Sequence, residues 1–226
     1  MKYIWLALTA VVLLGTSATS ASAGEPKILP EPTEASPLSG TGTAGKLLFE
    51  TASGTKLECE KATGKGEFTG ANDGRGEASV TGCKSTGFSC NSPGAKSGEI
   101  ILKDEIHYWA GFLGKELIAV SVALITKNLV IECTALVKME KRGCTAGQVP
   151  PSSLNKKIKS VSATLKQTKG KQEITEILPP KSKTTIKCVG EISINGGKFE
   201  EIGQEGSGTT ENFKQGGKAL EIELMF

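Results

Sequence analysis

The amino-acid sequence predicts an all-β protein, an antiparallel sandwich or barrel of about 10–12 strands with little helix. Three observations predict it. Short runs of alternating or β-branched residues recur along most of the chain, separated by glycine and proline pairs that favour turns. The middle of the chain carries segments apolar on both faces, as a strand needs between two layers or in the wall of a closed barrel. Closure or stacking also removes the exposed edges that so many strands would otherwise leave.

The first 23 residues read as a secretory signal peptide, not as part of the fold. Lys2 supplies the charged start, Ile4 to Leu14 the apolar run, and Ala21-Ser22-Ala23 the small-residue site, with cleavage expected after Ala23. The apolar run is too short to span a bilayer, which takes roughly 20 residues, and no later stretch comes close, so no transmembrane segment is expected in the mature protein. Residues 24–45 hold Pro26, Pro30, Pro32 and Pro37 among Ser, Thr, Glu and Gly, a composition that predicts a flexible, solvated arm. Residues 46–226 then form one disulfide-containing β domain, long enough to bury a core.

Within that domain, Lys46 to Thr51, Thr55 to Lys61, Gly66 to Thr69 and Glu77 to Cys83 read as strands, with Asn72-Asp73-Gly74 as a hairpin turn. The same turn has an oxygen-rich look, but it lacks the alternating ligands and closing glutamate of a calcium loop. Glu99 to Leu102, Ile118 to Thr126 and Leu129 to Leu136 are the most apolar segments. Lys103 to Glu116 has a partly helical stripe, yet Gly111 and Gly114 each weaken a helix by about 1 kcal/mol relative to alanine, so a strand is expected there too. After the break at Val149-Pro150-Pro151, Ile158 to Thr168 alternates strictly, and Glu173 to Leu178, Thr184 to Ile194, Lys198 to Ile202 and Lys218 to Met225 follow between Pro-Pro and Gly-Gly pairs. The many glycines are read as turn formers.

All six cysteines, at 59, 83, 90, 133, 144 and 188, follow the signal, and their even number fits full pairing in an oxidising compartment. Cys83 and Cys90 are too far apart in sequence for a zinc knuckle, and one histidine is left to help, so no metal site is expected. Leu57, Ile131 and Ile186 each stand two residues before a cysteine, which puts both on one strand face and points the sulfurs inward. Six cysteines allow fifteen complete pairings, and the sequence alone selects none. The turn Lys84 to Ser89 favours Cys83 with Cys90, and a hairpin would make Cys133 with Cys144 a rival to any long-range bridge.

The formal charge of +3 gives no strong overall field. Residues 138–187 nevertheless carry twelve Lys or Arg against three Glu, which makes Lys156, Lys157, Lys159, Lys166, Lys169 and Lys171 candidate anion-binding residues; a solvated sheet face is the plainer role of such lysines. Tyr108, Trp109 and Phe112 are a candidate aromatic patch for stacking on a sugar or partner. His107, the one histidine, lies near Asp104 and Glu105, but no nucleophile elbow or zinc motif accompanies it, and its plainer role is a hydrogen bond at the surface. The acid pairs Glu58 with Glu60 and Glu200 with Glu201 are the residue types glycoside hydrolysis uses. No phosphate-binding loop or cofactor motif is present, so no catalytic residue and no cofactor is assigned and nucleic acid is not an expected partner.

The motifs Thr55-Lys-Leu-Glu-Cys59, Thr81-Gly-Cys-Lys84, Phe88-Ser-Cys90-Asn-Ser-Pro-Gly94, Leu129-Val-Ile-Glu-Cys133, Thr168-Lys-Gly-Lys-Gln172 and Phe199-Glu-Glu-Ile-Gly203 together span most of the mature chain. In these the sequence resembles a group of uncharacterised secreted proteins of soil actinobacteria. That group has no assigned function, so the resemblance implies a secreted bacterial β fold and brings no active site. It also implies that the cysteines at 59, 83, 90 and 133 belong together and that Cys144 and Cys188 are an added couple, which with Cys83–Cys90 leaves Cys59–Cys133. The functional expectation is a non-catalytic extracellular binding or cell-envelope-associated protein, with an anionic wall polymer or carbohydrate as partner. The alternative is a secreted hydrolase of polysaccharide or ester substrates.

Overall fold

The computed structural model describes residues 25–134 and 137–226. The expected signal peptide and its cleavage site lie outside the described residues. Among the described residues the fold is all-β and antiparallel, and the one helical element is a 3-10 turn at Pro151–Ser153. In chain order the first strands are β1 (Lys27–Leu29), β2 (Leu38–Ala44), β3 (Leu47–Thr51), β4 (Lys56–Cys59), β5 (Lys61–Phe68), β6 (Asp73–Thr81), β7 (Lys84–Ser85) and β8 (Phe88–Ser89). Three long strands follow, β9 (Glu99–Leu113), β10 (Glu116–Thr134) and β11 (Val137–Gln148). Then come β12 (Lys157–Ile158), β13 (Ser160–Leu165), β14 (Gln167–Thr168), β15 (Lys171–Gln172), β16 (Glu176–Leu178), β17 (Ile186–Lys187) and β18 (Gly190–Ile194). The last are β19 (Glu200–Gln215), β20 (Lys218–Ala219) and β21 (Ile222–Met225).

The main sheet closes on itself. Its order β13-β11-β10-β9-β6-β5-β2-β19 returns to β13 through a β13–β19 ladder, giving an eight-stranded antiparallel barrel. Six residue pairs join β13 to β19, but a single pair, Gln148 with Thr164, joins β11 to β13. A barrel of eight strands has an interior that side chains just fill or that holds one small ligand. One end is closed by the three-stranded sheet β1-β21-β12, whose Ile28, Ile222 and Leu224 pack with inward-facing Leu38, Tyr108 and Phe213.

A second, smaller circuit continues from the other end and shares the outer halves of three strands. It runs β19-β3-β4-β7-β8, crosses to β10 by the bridge Asn91 with Glu132, and returns through β11 and β18 to β19. Phe49, Leu57, Ile131, Met139, Ile192 and Ile202 fill it. Two disulfides, Cys59–Cys83 and Cys90–Cys133, lie in the same core, and the third, Cys144–Cys188, ties β11 to the segment before β18.

These observations correct two expectations. Cys83 is not paired with Cys90, nor Cys59 with Cys133. The turn does bring the first two together, since the Cys90 amide donates to the Cys83 carbonyl at 2.9 Å, but each sulfur is claimed across a strand seam instead. Glu58 opposite Lys84 places Cys59 beside Cys83, and Asn91 opposite Glu132 places Cys90 beside Cys133. Both seams have just that one residue pair, so each disulfide staples a place where the backbone ladder is shortest. The Cys144–Cys188 couple is as expected. Residues 24–45, expected as a flexible arm, are built into the fold from β1 onward: β1 joins the capping sheet, and β2 enters the barrel, pairing with β5 along its whole length and with β19, while Pro26 and Pro32 are buried. Its glycines drive the difference, because Ser39-Gly40-Thr41-Gly42-Thr43 alternates with the period of a strand whose inner face carries no side chain.

Candidate functional site

The inner faces of β2, β5 and β6 consist largely of glycine. Cross-strand register sets Gly40 opposite Gly66 and Gly66 opposite Gly76, and Gly76 faces Asp104 on β9. One step along, Gly42 faces Gly64 and Gly64 faces Ala78. The alternate positions, Thr41, Lys65, Glu77 and Lys103, point outward in a row, with Lys103 Nζ 3.8 Å from Glu77 Oε1. The same strands are therefore charged outside and bare inside.

Across the barrel the facing wall is small as well. Ser121, Ala123, Thr145 and Gly147 line β10 and β11, and Ala163 lines β13. With so little side-chain volume directed inward, the barrel holds a partly open cavity of about 390 Å³. Ile106, Phe213 and Thr210 reach into it over the glycines: a Cβ at Gly66 would stand 3.0 Å from Ile106 Cδ1, and one at Gly40 3.0 Å from Thr210 Cγ2. The floor is Leu38, Tyr108, Val161 and Phe213, above the capping sheet. Tyr108 donates from its hydroxyl to the Met225 carbonyl at 3.2 Å, and burial pushes its phenol well up from the ordinary value.

At the opposite end, where the cavity meets the packed circuit, two ionisable side chains stand in the wall. Lys141 lies on the inward face of β11, two residues from core Met139, and is 3 % exposed. Among the described residues its ammonium has no hydrogen-bond partner and no carboxylate within 4.0 Å, although its backbone is paired with β10 and β18. Burial pulls its ammonium down to about 8, against an opposing pull from Asp104. Burial likewise pushes the Asp104 carboxyl up, with Lys141 acting the other way. The two are thus close enough to feel each other and too far apart to pair.

The residues singled out from sequence fall elsewhere. Tyr108 and Trp109 do not make a joint patch with Phe112, because consecutive strand residues face opposite ways: Tyr108 is in the floor of the cavity and Trp109 is on the outer flank, packed with Val120, Ile174 and Ile177. His107 is buried rather than at the surface. Its Nδ1 is 2.7 Å from Asp73 Oδ1, its ring stacks on Trp109 at 4.2 Å, and its Nε2 is 3.9 Å from Glu105. The Asn72-Asp73 turn is thereby a structural clasp, with the Asn72 amide donating to the Pro26 carbonyl.

The six lysines are exposed but separate. Lys156, Lys157 and Lys159 lie around β12 at the capping sheet, whereas Lys166, Lys169 and Lys171 lie around the β14–β15 hairpin, with β13, roughly 20 Å long, between them. Two are met by acids, Lys159 by Glu221 at 3.6 Å and Lys171 by Glu201 at 3.7 Å. Glu200 instead accepts from the Ser53 amide and hydroxyl, so the Glu200–Glu201 pair is divided between two partners. Among the described residues no cluster of metal-ligating side chains occurs and no helix is long and apolar enough to cross a membrane.

Sequence reasoning missed the cavity and its lysine. The signal was present in Gly40-Thr-Gly42, Gly64-Lys-Gly66 and Gly74-Arg-Gly76, where glycine recurs at every second residue with polar residues between. Compared with known proteins, the chain matches no family model, no curated protein and no solved structure.

Proposed function

We propose that this protein is a non-catalytic extracellular binding protein whose barrel interior holds one small, mostly apolar molecule. The observation that carries the reading is the cavity of about 390 Å³ behind the glycine-bare wall. That volume falls at the small end of the roughly 300–1,000 Å³ of ligand pockets, and its lining, mostly apolar with a few polar groups, is the usual composition of such sites. Filling the space would have been simple: a cavity in an ordinary core costs stability, and Gly42, where a Cβ would make ordinary contact 3.6 Å from Thr210 Oγ1, could carry a side chain. Three disulfides fit an oxidising, extracellular compartment, where a carrier of apolar molecules protects them from water.

The split arrangement of the lysines supports this reading over a wall-polymer partner, since an anionic polymer is best held by one continuous positive field. The test is calorimetric titration of the mature protein with 1-octanol, alongside Ser121→Phe and Ala123→Phe, which place a ring inside the barrel. Saturable one-to-one binding that each ring weakens at least ten-fold, with the circular dichroism spectrum unchanged, is the expected result. Octanol binding that ignores both rings would place it outside the barrel and end the reading.

A further inference from the structure

A lysine with no partner in the wall of an apolar cavity is an expensive residue, and its chemistry says what it is for. A buried cation is ordinarily paired or neutralised, and Lys141 is 3 % exposed while its ammonium has no hydrogen-bond or ion-pair partner among the described residues. Its position is also a boundary one. On β11 the inward side chains run Met139, Lys141, Thr145, so the amine stands where packed core gives way to open cavity. From β9 Asp104 faces the same space, directly opposite Gly76, and it is the charged group that acts on Lys141.

We propose that the cavity captures small apolar aldehydes as imines on Lys141 Nζ, an inference that rests on the reading of the barrel interior as a ligand site. The chemistry balances without an added reagent. The nitrogen lone pair attacks the carbonyl carbon, a C–N bond forms, and the carbonyl π pair moves to oxygen, which takes a proton from the Asp104 carboxyl. One nitrogen proton returns to Asp104, and the resulting carbinolamine loses its hydroxyl as water with the second nitrogen proton while the C=N bond forms. Amine plus aldehyde gives imine plus water, reversibly, with nothing oxidised or reduced.

Two features favour a carbonyl over a carboxylate as the polar end of the ligand. Ionised together, Lys141 and Asp104 already sum to zero charge, so a carboxylate would leave a net negative charge in a low-dielectric space, whereas a neutral carbonyl adds none. An apolar pocket is also the setting in which a lysine becomes a nucleophile, because burial keeps part of it as free amine near neutral pH. The small residues around it leave room for the tetrahedral carbon, and Ile106, Val161 and Phe213 await the alkyl chain.

The experiment treats the mature protein with octanal and cyanoborohydride at pH 7 and maps the alkylated peptides, with 1-octanol and octanoate titrated in parallel. The expected result is one octyl group on Lys141, at least ten-fold above any exposed lysine, in a protein that binds 1-octanol, and its loss in Lys141→Met with the circular dichroism spectrum unchanged. If 1-octanol binds but octyl groups spread over exposed lysines or fail to form, the imine is overturned and the carrier stands. If octanoate binds more tightly than 1-octanol, loses that advantage in Lys141→Met, and octanal leaves Lys141 unmodified, the ligand is an acid and the imine is overturned. If neither octanol nor octanal is taken up, the carrier reading falls and the imine with it.

Discussion

Three strands, β10, β11 and β19, run through both closed circuits, and what they direct inward changes along their length. In the smaller circuit they present Ile131, Met139 and Ile202; in the larger they present Ser121 and Ala123, Thr145 and Gly147, Gly208 and Thr210. The backbone pattern is the same in both, since a strand offers every second residue to the interior whatever its type. Side-chain volume alone therefore separates a solid core from a hollow one. The seams differ too: the solid circuit has two single-pair joints, each beside a disulfide, whereas the hollow barrel has one, Gln148 with Thr164, with no disulfide across it.

The largest effect should come from opening the stapled seams. Cys59–Cys83 and Cys90–Cys133 close loops of 24 and 43 residues, which on a loop-closure account contribute about 3.4 and about 4 kcal/mol. Replacing each pair by alanine should lower the urea midpoint strongly, and replacing both should unfold the smaller circuit. An equal loss from an engineered cut in the β14–β15 hairpin would show that the seams are not the weak points.

Core truncations sharpen the contrast between solid and hollow. Ile131→Ala leaves a void among tightly packed neighbours and should cost about 2–5 kcal/mol. Ile106→Ala removes as many atoms but enlarges a space that already exists, so its cost should be about 1–2 kcal/mol, the transfer contribution without a new cavity. Chemical denaturation of the two variants measures the difference. Equal costs would mean that the large barrel is packed as solidly as the small one.

The charged pair adds a pH signature to the hollow side. Lys141 has a folded value of about 8 against an ordinary 10.5, so the unfolded chain binds its proton more tightly. Stability should then rise with pH between about 8 and 10.5, by roughly 3 kcal/mol, and be level with respect to this group below 8. The Asp104 carboxyl, pushed up from its ordinary 3.8, acts oppositely, with stability falling as pH rises through its folded value. Lys141→Met should abolish the alkaline rise in urea titrations across pH, and a rise that survives the substitution would place its origin elsewhere.

What was legible in the sequence followed from local periodicity. Ile118 to Thr126 and Ile158 to Thr168 alternate as strands do, and β10 and β13 lie there. The strand expected across the partly helical Lys103 to Glu116 is the second half of β9, because a barrel wall uses the very residues that spoil a helix: Gly111 lies against Val120, where a Cβ would come within 2.9 Å. What was not legible depends on register. Which cysteine meets which is decided by Glu58 meeting Lys84 and Asn91 meeting Glu132, contacts between segments 26 and 41 residues apart. The cavity was hidden by a sound rule applied to the wrong glycines, since Gly114, Gly196 and Gly216 do sit at positive φ in turns while Gly40, Gly66 and Gly76 sit in strands. Lys141 looked like one more member of a basic segment until the register turned it inward.

The smallest effect separates two uses of glycine on that wall. A Cβ at Gly42 would make ordinary contact, 3.6 Å from Thr210 Oγ1, and its backbone is not in the left-handed region, so Gly42→Ala should stabilise the fold by about 0.4–1 kcal/mol by restricting the unfolded chain. A Cβ at Gly64, by contrast, would stand 2.7 Å from the Glu77 carbonyl and 2.9 Å from the Ala78 Cβ. Gly64→Ala should therefore push β5 from β6 and cost about 1–3 kcal/mol, as overpacking does. Glycine at 42 keeps space open, whereas glycine at 64 lets two strands approach. Thermal denaturation of the two variants reads the sign directly, and a destabilised Gly42→Ala would mean that the hollow barrel has less free volume beside β2 than its cavity implies.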